Sequence, residues 1–148
     1  MEAPARPIAL AGLTAVLVLV VDQAAKALIR ADLAAGERHD VLGSALRLVH
    51  VENDGVAFGR FAGNATLVGL IVAAAVIALL AYFLSHLDVP LVWLPTGILL
   101  GGALGNIIDR AAYGHVVDYI LFHTPVWSFA IFNLADAFIS VVAAPVVN

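Results

Sequence analysis

Long apolar stretches alternate with polar connections along this chain. The stretches cover residues 8–30, 65–84, 91–110 and 131–147, and the second is the most continuous. At about 1.5 Å of helix rise per residue, each can cross a hydrocarbon core about 30 Å thick, the last one only barely. The pattern predicts four transmembrane helices in an all-α integral membrane protein, with one domain over residues 1–148.

The two long connections differ in character. Residues 31–64 hold most of the charge, and Ala45–Val51 alternates apolar and polar side chains. Such alternation is typical of a half-exposed strand, so we predict a small β-element between helices 1 and 2 at the membrane surface. Residues 111–130 are rich in aromatic side chains, which suits an interfacial aromatic belt.

Composition supports a membrane protein. Of the 148 residues, 63% are hydrophobic and 12% are charged, and the mean hydropathy is +1.03. Soluble domains are nearer half apolar and a quarter charged. The net charge of −4 leaves no basic footprint for nucleic acid. There is no cysteine, and the histidines lack metal-binding spacing, so we predict neither a metal nor a cofactor.

The first span leaves two questions open. The apolar run Ile8–Val21, followed by Ala25-Lys26-Ala27, also fits a cleaved signal peptide, although the positive region ahead of it is weak. Most lysines and arginines lie beyond this span. The positive-inside rule would therefore place the long connection in the cytoplasm.

Asp118 in VVDYI and Asp136 in FNLADAF are the most informative residues. A carboxylate at membrane depth costs at least about 2.5–3.5 kcal/mol on insertion scales. If the last helix begins near Ile131, both lie at a similar shallow depth. Two neighbouring carboxyls cannot both ionise, so the charged one can take a proton from water while the neutral one polarises a carbonyl. The alternative is that each aspartate only caps a helix or pairs with a base.

Other polar and small residues surround this pair in the sequence. Asp22 and Lys26 have the i,i+4 spacing of a helical ion pair. Asn106 and Arg110 share a helix face at the same spacing, next to Asp109. Charge compensation at an interface and support of the aspartates explain them equally well. A turn is predicted at Asn53-Asp-Gly55. A helix-packing stripe is predicted at Gly97, Gly101 and Gly105.

Taken in order, the segments VDQAAK, NDGVAFG, GGALGNIIDR, VVDYI and FNLAD closely resemble the motifs of the bacterial lipoprotein signal peptidases. The resemblance runs from Asp22 to about Phe138, and it is the order of the motifs that is specific. It implies a four-helix membrane aspartic endopeptidase with Asp118 and Asp136 as its catalytic dyad. The residues it implies for substrate binding or dyad support are Asp22, Lys26, Asn53, Gly55, Asn106, Asp109, Arg110 and Asn133.

The resemblance also implies a substrate and a location. The substrate would be a prolipoprotein whose cysteine already carries diacylglycerol, cut just before that cysteine. The enzyme would be a multi-pass protein of the cytoplasmic (inner) membrane, in contact with lipid, with its active site outside and both termini inside. We prefer this orientation to the charge count because the substrate is reached after translocation, and we expect a monomer.

Two departures from the family pattern stand out. Ala137 replaces the small hydroxyl residue that usually follows the FNxAD aspartate, and a basic tail after Pro145 is missing. Neither departure removes a residue of the dyad.

Two other functions remain open at this stage. A proton-coupled transporter could use the same buried acids as a relay, although neither discontinuous spans nor repeats are evident. A non-enzymatic assembly partner could pack through the glycine stripe.

Overall fold

The computed structural model describes residues 5–55, 65–128 and 131–143. Parts of the predicted first connection (56–64) and of the predicted last span (144–147) lie outside the described residues. The helices and strands are α1 (Ala5–Asp32), β1 (Arg38–Leu42), β2 (Leu46–Asn53), α2 (Ala65–Ser85), α3 (Trp93–Tyr113), β3 (Val116–Thr124), β4 (Trp127–Ser128) and α4 (Leu134–Ala143). The prediction of a mostly helical protein with a small β-element is confirmed.

Within the described ranges, two helices are long and apolar enough to cross a membrane. They are α1, with 28 residues, and residues Thr66–Ser85 of α2, with mean hydropathies of 2.1 and 2.8 in their most apolar windows. Crossing by all four helices remains a prediction. The third helix runs to Tyr113 rather than residue 110, and Gly114 ends it in a left-handed conformation with φ of 78°.

The main helix contact joins α1 to α3. The buried side chains of α1 recur every three or four residues and form one stripe: Ala11, Ala15, Val18, Asp22, Lys26 and Ile29. On α3, a methyl group added to Gly101 would lie 2.6 Å from the carbonyl oxygen of Ala15. The glycine stripe therefore lets the two backbones touch, as its spacing predicts.

The strands form one antiparallel sheet in the order β1-β2-β3-β4. The predicted β-element between helices 1 and 2 is present as β1 and β2, and the sheet also contains β3 and β4 from residues 111–130, where no strand was predicted. The segment Val116–Ile120 is buried along nearly its whole length. A strand covered on both faces shows no alternation of apolar and polar residues, so its sequence lacks the usual strand signal.

Apolar packing holds the sheet against the end of α1. Ile29 of α1 and Leu33, which directly follows that helix, form one buried cluster with Val117 and Tyr119 of β3. The short segment before α4 also bridges to β3, through Ile120 and Phe132. The sheet therefore fixes where β3 lies relative to the start of α4.

The last helix begins at Leu134, not near Ile131 as predicted. Asn133 ends the preceding extended segment, and its side-chain oxygen accepts a hydrogen bond from the backbone N–H of Asp136 at 2.9 Å. This is the geometry of a helix N-cap. Asp136 consequently lies in the first turn of α4 and not one and a half turns into it.

Candidate active site

Asp118 is held by the sheet. It lies on β3 opposite Val51 of β2, and only 3% of it is exposed. Its Oδ2 accepts a hydrogen bond from the side-chain amide of Asn53 at 2.9 Å, and its Oδ1 accepts one from Asn133 Nδ2 at 2.7 Å. Pairing of β2 with β3 thus brings Asn53, at the end of β2, to this carboxylate.

Asp136 is held by the start of α4 and by α3. Its Oδ1 accepts a hydrogen bond from Asn106 Nδ2 at 3.0 Å. Its Oδ2 accepts a longer bond from the backbone N–H of Asn133 at 3.4 Å, which reciprocates the cap described above. Asn133 therefore contacts both aspartates and joins them into one group.

A buried ion cluster lies beneath this group. The ammonium of Lys26 lies 2.8 Å from Asp22 and 3.0 Å from Asp109, and all three side chains are fully buried. Lys26 also donates to Asn106 Oδ1 at 2.9 Å. Two carboxylates and an amide oxygen therefore surround the cation and compensate its charge. Lys26 thus compensates the charges of Asp22 and Asp109, and it also contacts Asn106, which donates to Asp136.

The ion cluster also binds backbone from other elements. Asp22 accepts a hydrogen bond from the N–H of Ala135 in α4 at 3.1 Å. Asp109 accepts one from the N–H of Val117 in β3, also at 3.1 Å. The two anions therefore fix the backbone next to each of the catalytic candidates, Asp136 and Asp118.

Arg110 fastens the loop that carries Asn53. The N–H of Gly55 donates to Asn53 Oδ1 at 3.0 Å, which forms the predicted turn. The guanidinium of Arg110 donates to the carbonyl of Gly55 at 3.1 Å and to the carbonyl of Asn106 at 3.3 Å. The loop is thereby held over the end of α3.

All of the predicted site residues meet in one connected network of hydrogen bonds and ion pairs. They are Asp22, Lys26, Asn53, Gly55, Asn106, Asp109, Arg110, Asp118, Asn133 and Asp136. Their individual roles remain predictions. Among residues 5–55, 65–128 and 131–143, no cluster of metal-ligating side chains is present.

Sequence reasoning missed Gln23, which belongs to this network, and Tyr119, which lies beside it. Gln23 donates to Asp109 Oδ1 at 3.0 Å and to the carbonyl of Gly105 at 3.2 Å. The hydroxyl of Tyr119 accepts a hydrogen bond from the N–H of Leu134, the first residue of α4. A polar Gln inside an apolar span was a usable signal, whereas nothing in the sequence links Tyr119 to α4.

Burial dominates the electrostatics of Asp118. It raises the pKa of this carboxyl to about 6, and the nearby negative charge of Asp136 acts in the same direction. The amides of Asn53 and Asn133 and the charge of Lys26 oppose the rise. Burial also raises the pKa of the Tyr119 hydroxyl above its ordinary value. Asp118 is consequently a carboxyl poised between its two protonation states near neutrality.

A cavity of about 360 Å³ opens beside Asp136. Its polar end is formed by Asn106, Arg110 and Asp136, and the rest of its wall is apolar. The apolar residues come from α2, α3 and α4: Ile71, Val72, Ala75, Val76, Leu79, Leu99, Ala103 and Ile139. An apolar cleft with a few convergent polar groups at one end is the usual form of a ligand site.

Comparison with known proteins gives one consistent result. The family model described as Signal peptidase (SPase) II matches residues 14–147. The lipoprotein signal peptidase of Mesorhizobium japonicum is 47% identical over 137 residues, which cover 91% of this chain and 81% of that protein. The lipoprotein signal peptidase of Brucella ovis is 36% identical over 134 residues, 89% of this chain and 83% of that protein.

Solved structures are similar as well. One bacterial membrane enzyme, solved at 2.3 Å, superposes with a TM-score of 0.84 at 30% identity, covering 93% of this chain and 84% of that one. A second, solved at 1.9 Å, has a TM-score of 0.81 at 30% identity, with coverages of 93% and 89%.

Proposed function

This chain belongs to the signal peptidase II family, and we propose that it cuts diacylglyceryl-modified prolipoproteins just before the lipid-bearing cysteine. Removal of signal peptides from prolipoproteins is the activity of the family. The aspartic mechanism and the lipid-modified substrate are our proposals. The main support for the mechanism is that the Asn133 side chain donates a hydrogen bond to Asp118 and accepts one from the backbone N–H of Asp136.

The proposed reaction is hydrolysis by an aspartate pair, without a covalent intermediate. One carboxylate takes a proton from water as the water attacks the scissile carbonyl carbon, and the other carboxyl gives its proton to the carbonyl oxygen. The raised pKa of Asp118, about 6, supports this use because a base works best with a pKa near the operating pH.

The cavity beside Asp136 supports a lipid-anchored substrate. Its apolar walls come from α2, α3 and α4, and its polar end carries Asn106, Arg110 and Asp136. A peptide tethered to the membrane can enter such a cleft laterally, with its scissile bond at the polar end and apolar groups against the helices. The same tether keeps the substrate at the shallow depth of the pair.

The proposed topology has four membrane-spanning helices and a sheet on the outer side. The membrane is the cytoplasmic (inner) membrane, both termini are cytoplasmic, and the enzyme acts as a monomer in contact with lipid. The sheet follows α1 and carries Asp118, so the site and the sheet lie on the same side. This side must be external because the substrate arrives there after translocation.

A gel-shift assay on a diacylglyceryl prolipoprotein, with enzyme in detergent micelles, tests the proposal. Asp118→Asn and Asp136→Asn should each lower the cleavage rate by about 10²–10⁴-fold, because each removes an acid–base group. Asp88→Asn is the matched control, since Asp88 is exposed in the connection between α2 and α3, and it should cleave normally. Wild-type activity in either dyad variant would overturn the mechanism.

A precursor without the lipid tests the substrate class in the same assay. We expect little or no cleavage of it, and equal rates for both precursors would contradict the proposed substrate. Acid-driven ion flux through proteoliposomes without any cleavage would instead favour the proton relay.

A further inference from the structure

The orientation of each asparagine amide around the two aspartates is fixed by a neighbour that can only donate. An amide oxygen and nitrogen are otherwise hard to tell apart. Lys26 has only N–H donors and lies 2.9 Å from Asn106 Oδ1. The Nδ2 of Asn106 must therefore be the atom that donates to Asp136 Oδ1 at 3.0 Å.

The same reasoning fixes the amides that meet Asp118. The backbone N–H of Gly55 donates to Asn53 Oδ1 at 3.0 Å, and the backbone N–H of Asp136 donates to Asn133 Oδ1 at 2.9 Å. Both asparagines consequently present their Nδ2 groups to Asp118, at 2.9 Å on Oδ2 and 2.7 Å on Oδ1. Each oxygen of Asp118 thus meets one short N–H donor.

The two carboxylate oxygens of Asp136 accept hydrogen bonds of unequal length. Its Oδ1 accepts the 3.0 Å bond from Asn106, but among the described residues the sole donor to Oδ2 is the backbone N–H of Asn133, at 3.4 Å. This oxygen is therefore the least satisfied acceptor of the pair. Short N–H donors favour the charged form of a carboxyl, so the hydrogen bonds favour a negative Asp118 more strongly than a negative Asp136.

Further charges act on Asp136 in both directions. The N-terminus of α4 and the cations Lys26 and Arg110 favour a negative charge there. The anion Asp22, whose Oδ1 lies 3.1 Å from the N–H of Ala135, opposes a second negative charge beside it. Lys26 and Arg110 act on Asp118 in the same direction as on Asp136, so they do not separate the two carboxyls. The partial charge of a helix end is weaker than a short charge-assisted hydrogen bond, so the hydrogen bonds to Asp118 decide the balance.

We propose that Asp118 is the ionised member of the pair and that Asp136 carries the shared proton on Oδ2. This inference rests on the proposed function and assigns its two chemical roles. Lys26 is a positioning residue in this assignment. It orients the Asn106 amide toward Asp136 and contacts neither Asp118 nor Asp136.

The proposed reaction then has two steps, attack by water and cleavage of the C–N bond. Asp118 takes a proton from water, the water oxygen bonds to the carbonyl carbon, and Asp136 gives its proton to the carbonyl oxygen, which yields a gem-diol. When the C–N bond breaks, Asp118 gives its proton to the leaving nitrogen. Asp136 regains a proton from one of the gem-diol hydroxyls, so a carboxylic acid and an amine leave while both aspartates return to their starting states.

An asparagine copies the hydrogen-bonding pattern of a protonated aspartate, and this provides a test. In Asp118→Asn, the new NH₂ must face Asn53 Nδ2 or Asn133 Nδ2, which are also donors. In Asp136→Asn, the NH₂ can take the position of Oδ2, where the part of the chain that the structure describes makes only the long 3.4 Å contact. We expect Asp118→Asn to lower the thermal unfolding midpoint in micelles by about 4 °C or more beyond Asp136→Asn.

The control Asp88→Asn should leave the midpoint unchanged. Equal shifts for the two dyad variants, or a larger shift for Asp136→Asn, would overturn the placement of the proton. The peptidase assignment fails separately, if either dyad variant cleaves normally in the gel-shift assay.

A pH profile of kcat/KM gives an independent readout. Asn53→Ala removes a donor from Asp118 only, so the acidic limb of the profile should move up by about one pH unit. Asn106→Ala removes the donor on Asp136 Oδ1 and should move the alkaline limb instead. The reverse assignment of limbs to variants would overturn the proposal, since it would make Asp136 the base.

Discussion

The side-chain amide of Asn133 donates to Asp118 Oδ1 at 2.7 Å, although Asn133 belongs to the start of α4 and Asp118 to β3. The opposite end of the same side chain accepts from the backbone of Asp136. One residue therefore sets the relative position of two carboxyls on different elements. A peptidase built on this pair depends on Asn133 for geometry as much as for hydrogen bonding.

Asn133→Ala should reduce both activity and stability. The loss of the shared amide should lower kcat by about 10²-fold, because a misplaced reacting group costs about that much. Loss of the N-cap should lower the unfolding free energy by about 1 kcal/mol. Cleavage and thermal unfolding in micelles measure both effects, and Ser140→Ala, at an exposed position of the same helix, is the control. Unchanged kcat would contradict the positioning role.

Lys26→Met should be among the most destabilising substitutions in the described part of the chain. It leaves Asp22 and Asp109 buried without their shared cation, and removal of one partner from a buried ion pair costs about 3–5 kcal/mol. Denaturant unfolding in micelles measures the loss.

Arg30→Met is the matched control for Lys26→Met, because Arg30 is partly exposed and lies 4.0 Å from Asp109. Its effect should be much smaller. The double variant Lys26→Met/Asp109→Asn should recover part of the stability. A loss at Arg30 as large as that at Lys26 would contradict the importance of the buried cluster.

Gly101→Ala should separate α1 from α3. The added methyl group would lie 2.6 Å from the Ala15 carbonyl oxygen and 2.7 Å from Val18 Cβ, and overpacking of this kind costs about 1–3 kcal/mol. At Gly69 of α2, an added methyl group meets nothing within 4 Å. Unfolding measurements should therefore find Gly69→Ala tolerated, and equal losses at the two sites would argue against a specific α1–α3 contact.

Activity should fall in mild acid. The pKa of Asp118 is raised from 3.8 to about 6, so this base becomes protonated as the pH falls through about 6, and kcat/KM should drop about tenfold per unit below that point. The contribution of Asp118 to stability changes with pH in the opposite direction to the activity. Native Asp118 binds its proton at higher pH than the unfolded chain, so its contribution to the unfolding free energy declines as pH rises from 3.8 to about 6.

A rate assay over pH 5–8 tests the acid limb, with circular dichroism at each pH as the control for folding. A flat profile between pH 5 and 7 would show that Asp118 is not the group whose ionisation limits the rate.

Hydropathy and motif order determined much of this protein from sequence alone. They predicted the helices, because apolar runs long enough to cross a bilayer are visible without any partner. The cost of polar side chains in apolar segments pointed to residues such as Asp22, Lys26 and Asp136, whereas Asn53 and Gly55 were identified only through the resemblance to the family motifs. The strand β3 was not predicted, because it is buried on both faces and therefore lacks the alternation of apolar and polar residues.

Only the tertiary structure decided how the polar residues are paired. Asn53 and Asp118 are 65 residues apart in sequence, and Lys26 and Asn106 are 80 apart. Their contacts depend on the register of β2 with β3 and on the close approach of α1 to α3. The local sequence determines neither the register nor the helix approach. Each polar side chain can donate or accept with several partners, and the fold decides which partner lies opposite it.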